Sequence, residues 1–64
     1  MFKRIKELRL RENLSQEEVA NILNIQREVY RRYETGTRLI PVNLLIKLAD
    51  YYKVSLDYIV DRES

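Results

Sequence analysis

A chain of 64 residues with no cysteine and no histidine has to hold itself together by apolar packing alone. Domains below roughly 80 residues commonly lean on disulfides or a structural metal, because a small core buries too little surface. Composition excludes disulfides and the usual zinc sites here, and it removes the base and the thiol of a conventional catalytic triad. The core therefore has to be built efficiently from one kind of element. Only one glycine and one proline interrupt the chain, and long alternations of apolar and polar residues are absent. That leaves helices, in a single domain spanning residues 1–64.

Five helical segments account for nearly all of it. The first runs from about Phe2 to Glu12, with Ile5 and Leu8 spaced to face a core and Phe2 placed to join them. Asn13 is its stop, since asparagine tolerates the left-handed conformation. Ser15 and Glu18 then form a capping box, with Leu14 and Val19 as the hydrophobic staple around it. The short helix they open ends near Leu23, with Asn24 at C′. A third helix covers Arg27 to Glu34, with Gln26 as the candidate N-cap and Gly36 as terminator. Tyr30 and Tyr33 share one face, read as core rather than stacking residues, and Arg27, Glu28, Arg31 and Arg32 point outward. Pro41 is placed in the first turn of a fourth helix, whose stripe is Leu44, Leu45, Leu48 and Ala49, with Ile46 also meeting a neighbour. The last helix opens at Ser55 and runs to about Val60, stapled by Val54 and Ile59, with Leu56 and Ile59 inward.

The net charge of +2 says less than its distribution. Lys3, Arg4, Lys6, Arg9 and Arg11 oppose only Glu7, and Arg27, Arg31, Arg32 and Arg38 oppose Glu28 and Glu34. At the other end, Asp50, Asp57, Asp61 and Glu63 outnumber Lys53 and Arg62. Such a layout presents one positive face to an acidic partner, although charge alone fits solvated helix surfaces equally well. No apolar run nears the ~18 residues of a membrane span. The start, Met1-Phe2-Lys3-Arg4, lacks a signal peptide's apolar stretch, so a cytoplasmic location is expected. Helices two and three, joined through Asn24-Ile25-Gln26, have the helix-turn-helix outline. In that arrangement one helix lies across the phosphate backbone and the next reaches base edges. Other all-helical domains share the outline, so a generic helical domain stays open at this point.

The residues Leu14-Ser15-Gln16-Glu17-Glu18-Val19-Ala20, Tyr33-Glu34-Thr35-Gly36, Leu45-Ile46-Lys47-Leu48-Ala49-Asp50-Tyr51-Tyr52 and Val54-Ser55-Leu56-Asp57-Tyr58 go further. In content and spacing they closely resemble the Cro/repressor-type helix-turn-helix family, also called the xenobiotic-response-element family, over roughly residues 3 to 60. The resemblance implies a compact, all-α, five-helix domain of the lambda-repressor-like type that binds double-stranded DNA. The helix around residues 27 to 34 would enter the major groove. Arg27, Glu28 and, one turn on, Arg32 are then base-facing, while Gln16, Arg31, Thr37 and Arg38 hold phosphates. Gln16 also braces the recognition helix. Arg9 and Glu34 match a partly buried salt bridge between helices one and three, and Leu56, Tyr58, Ile59 and Val60 match a dimer contact. The residues by themselves leave plainer readings: Arg27, Glu28 and Arg32 as solvated charges, Arg9 with Glu34 as a surface pair, the end of helix five as core or bare surface.

The chain departs from the family pattern in four places. Asn24 stands where glycine is usual in the turn, Tyr30 fills a smaller aliphatic residue's site, and Pro41 falls one position later than in many members. Acidic Glu28 accepts from a cytosine amine but repels phosphate. The expected function is a transcriptional regulator, a repressor that binds a near-palindromic operator as a homodimer, with no cofactor, no metal and no membrane. Two rivals are an interaction module such as an antitoxin, whose exposed apolar residues cap a protein partner, and an excised DNA-binding domain of a larger regulator. An enzyme is disfavoured, because the carboxylates lie on short solvent-facing helices with no sign of a shared pocket.

Overall fold

Five α-helices follow one another in the computed structural model, which describes residues 3–60: α1 Lys3–Arg11, α2 Gln16–Leu23, α3 Arg27–Thr35, α4 Val42–Tyr52 and α5 Leu56–Val60. No strand occurs among the described residues. Phe2, placed in the core by sequence, and the acidic Asp61 and Glu63 lie outside them. Each helix gives one stripe to a shared core: Ile5 and Leu8; Val19, Ala20 and Leu23; Tyr30 and Tyr33; Leu44, Leu45, Leu48, Ala49 and Tyr52; and Ile59. The spacings are those of one face of a 3.6-residue period, so the core is amphipathic packing throughout. α2 packs most extensively on α3, while α5 closes against α1 and α4.

Helix ends follow local chemistry. Ser15 Oγ accepts from the Glu18 amide at 3.0 Å and Glu18 Oε1 accepts from the Ser15 amide at 2.7 Å, which closes the capping box. Asn13 and Asn24 are left-handed, with φ of 59° and 60°, and Gly36 follows α3 at φ 82°. One start differs from expectation. Pro41 is the N-cap of α4, with ψ 151°, and its carbonyl accepts from the Leu44 and Leu45 amides. Its ring fixes φ near −65°, which an extended cap accommodates as well as a first helical turn. Ser55 caps α5 as its staple pair of Val54 and Ile59 implies, its Oγ accepting from the Tyr58 amide at 3.0 Å.

One aliphatic placement also differs. Ile46 is exposed, whereas Ile40, in the α3–α4 connection, is buried. Lys53 ends α4 in the left-handed region at φ 58°, where its Cβ is penalised. Lys53→Gly should therefore raise stability by about 0.5–1 kcal/mol, read as a higher urea midpoint, after glycine's greater unfolded-state entropy is deducted. A lower midpoint would mean that the lysine side chain contributes more than its backbone costs.

Candidate nucleic-acid interface

The orientation of α3 depends on one carboxylate. Glu34 is only 8% exposed, and a buried carboxylate is tolerable only when its lone pairs are satisfied. Arg9 donates to it from Nε at 2.6 Å and from Nη2 at 3.3 Å, Tyr30 from its hydroxyl at 2.6 Å and Gln16 from Nε2 at 3.1 Å. Arg9 also donates from Nη1 to the Leu14 carbonyl at 2.8 Å. α1, the start of α2 and α3 are thus joined at a single point. Burial on its own would raise the Glu34 pKa. The hydrogen bonds from Arg9, Tyr30 and Gln16, with the Arg9 charge, outweigh it and hold the carboxyl below its ordinary value. Burial, then donation to Glu34, keeps the Tyr30 hydroxyl well above the ordinary tyrosine range and therefore neutral. A tyrosine at this position thus has a polar task besides filling space.

The opposite face of α3 is charged. Arg27, Glu28, Arg31 and Arg32 are all exposed. Glu28 accepts from Arg31 Nε at 3.0 Å and again from its Nη2, and Arg32 Nε lies 3.4 Å from the same carboxylate. These contacts, Arg31's hydrogen bonds first, lower the Glu28 pKa to about 2, so it is an anion at neutral pH. Arg27 has no ion-pair partner among the described residues. Beyond α3 the chain folds back, with the Arg38 amide donating to the Arg32 carbonyl at 3.2 Å and the Thr35 and Thr37 hydroxyls 3.0 Å apart. Thr37 and Arg38 are exposed beside the helix end.

Around the corner, a cleft of about 630 Å³ opens between α1, the start of α2 and the end of α3. Lys3, Lys6, Glu7, Leu10, Gln16 and Thr35 line it, with Glu34 among its walls. Its two ammonium groups are matched in number by two carboxylates, Glu7 and Glu34. Thr35 was not singled out by sequence, and nothing in its local pattern marks it. It reaches the cleft because α3 ends there. In α5, Leu56 and Val60 are half-buried and Tyr58 is exposed, with the Arg4 guanidinium 4.1 Å over its ring. Ile59, grouped with them by sequence, is fully buried and is spent in the core, so it offers no surface to a partner.

The family described as helix-turn-helix matches residues 5–59. The chain belongs to it, in the Cro/repressor type of DNA-binding regulator domains, a family of transcriptional regulators rather than enzymes. Over 57 residues it is 37% identical to the cryptic phage CTXphi transcriptional repressor RstR of Vibrio cholerae, covering 89% of this chain and 51% of that protein. Over 60 residues it is 37% identical to the HTH-type transcriptional regulator YqaE of Bacillus subtilis, covering 94% and 52%. The HTH-type transcriptional regulator ImmR of the same organism is 36% identical over 61 residues, covering 95% and 48%. The chain spans about half the length of the curated relatives it matches. No solved structure matches it significantly. Among the described residues, no helix is long and apolar enough to cross a membrane.

Proposed function

We propose that this domain represses transcription by binding a near-palindromic operator as a homodimer, with α3 in the major groove. One observation carries the reading: α3 is pinned from behind through Glu34 and presents Arg27, Glu28, Arg31 and Arg32 to solvent. Base reading needs a helix whose register is fixed, because a bidentate contact fails when the donor is misplaced. Arg27, Glu28 and Arg32 face the bases. Gln16, Arg31, Thr37 and Arg38 face phosphates, joined by Lys3 or Lys6 from the cleft. Leu56, Tyr58 and Val60 supply the contact between subunits, setting half-sites about 34–36 Å apart. The match to a phage repressor favours repression over activation, and such a regulator works in the cytoplasm. The same reading holds if the domain acts within a longer regulator.

A protein-binding role is the second reading. The exposed Leu39, Val42 and Ile46 around the start of α4 favour it. One experiment separates the two. Sites selected from a random duplex pool are expected to carry a two-fold symmetric motif. Affinity for the selected duplex should fall with salt at a log–log slope of about −5, for three charged phosphate contacts in each subunit. A flat salt response, or no enriched sequence, would sink the DNA reading and leave the protein-binding one.

A further inference from the structure

Glu28 is the only exposed acid on α3, and it lies within the face that is meant to meet a polyanion. It precedes Arg31 by three positions and Arg32 by four, and its carboxylate engages both. The two engagements differ in kind. Arg31 gives a fork of two donors, Nε and Nη2, which is how a guanidinium also takes a phosphate or the edge of guanine. Arg32 gives a single point of contact through Nε at 3.4 Å. The side chains of all three are about half exposed, at 48% for each arginine and 53% for the glutamate. Pairs this open to water are weak and exchange readily. The arrangement is a carboxylate standing where a phosphate would stand.

We propose that Glu28 is a built-in competitor anion, which occupies Arg31 and holds Arg32 in the free protein and has to be displaced by DNA. The inference rests on α3 being the DNA-reading helix, and it gives Glu28 a task that needs no hydrogen bond to a base. On random duplex, freeing the arginines exchanges one anion for another, with little gain. On the operator, Arg32 also acquires a base edge, and displacement becomes favourable. Glu28 therefore sets the ratio of specific to non-specific binding, chiefly by weakening the latter. A plainer role exists, because an acid in the first turn of a helix also stabilises its N-terminus. That role moves the melting temperature but neither the binding ratio nor the salt slope.

The test compares the parental chain with Glu28→Gln on two probes, the duplex selected from the random pool and a random-sequence duplex of equal length. Glu28→Gln is expected to bind the random duplex about three- to tenfold more tightly, the scale of two exposed pairs. Operator affinity should gain less, and the salt slope should steepen by up to about 1 per subunit. With Arg31→Gln in both backgrounds, most of the gain on random duplex should vanish, because the fork partner is gone. Loss of operator affinity with no gain on random duplex would make Glu28 a base reader and overturn the proposal. Equal gains on both probes that survive Arg31→Gln would mean a general charge effect and overturn it too. A shifted melt with an unchanged ratio and slope would assign Glu28 to the helix end alone, with the same consequence. If the parental chain retains no duplex even at low salt, the DNA reading itself fails and the proposal falls with it.

Discussion

Glu34→Ala is expected to cost about 3–5 kcal/mol in urea melts, because it strands the Arg9 guanidinium in a site built around a carboxylate. It also leaves Tyr30 and Gln16 without their shared acceptor. Against a total of about 5–15 kcal/mol for ordinary domains, this loss brings a small one to the edge of unfolding. Glu34→Gln, which keeps the shape and one carbonyl acceptor, should fold with a smaller deficit. Arg9→Ala should be severe as well, and the double replacement should cost less than the two single losses added together. Losses that are small and additive would make the bridge an ordinary surface pair. Acid gives an independent check. The folded Glu34 carboxyl lies below its ordinary value of 4.5, so its stabilisation is complete above that pH and is lost as pH falls through the depressed folded value. The melting temperature of the parental chain should therefore decline below about pH 4.5 more steeply than that of Glu34→Gln.

The second large effect separates reading from holding. Arg27 and Arg32 are five positions apart, about 140° around α3, and bracket Arg31 and Glu28 on its exposed arc. An arginine that reads guanine makes two parallel hydrogen bonds to O6 and N7, whereas one on a phosphate serves all sequences alike. Arg27→Ala or Arg32→Ala should weaken the selected operator about tenfold to a hundredfold more than random duplex, and relax preference at one or two positions per half-site. Arg38→Ala should lower both affinities by similar factors and leave the motif unchanged. Site-selection profiles for each variant, beside affinities at fixed salt, decide the matter. A parental motif retained in the Arg27 and Arg32 variants would show that the recognition helix is oriented otherwise.

What the sequence made legible was whatever depends on near neighbours. The box at Ser15 and Glu18, the left-handed Asn13 and Asn24 and the stop at Gly36 each follow from side-chain chemistry a few residues across. Lys53 turns left-handed without any such preference, so no local signal marks it. Ile46 is rotated about 100° from Leu45, which carries it off the stripe, while Ile40 precedes the helix and obeys no period. The central site was harder still. Arg9 and Glu34 are 25 positions apart, and only the family resemblance paired them. The Tyr30 hydroxyl was within reach of inference, since it stands four residues before Glu34, but an aromatic among apolar neighbours reads first as filling.

The single anchoring carboxylate ties two properties together. A domain whose reading helix hangs loosely retains a folded population that binds badly, and its fold and its affinity are lost separately. Here the group that holds α3 to α1 and α2 also underpins the fold. Molecules are then either competent or unfolded. The apparent dissociation constant becomes the intrinsic one divided by the folded fraction. At half-unfolding, occupancy behaves as if half the protein were missing, although no residue facing the DNA has changed. Operator, by binding only the folded form, draws that population back by mass action. A substitution deep in the core of this chain would therefore register as weaker operator binding at high temperature and as no change at low temperature, with the same motif throughout.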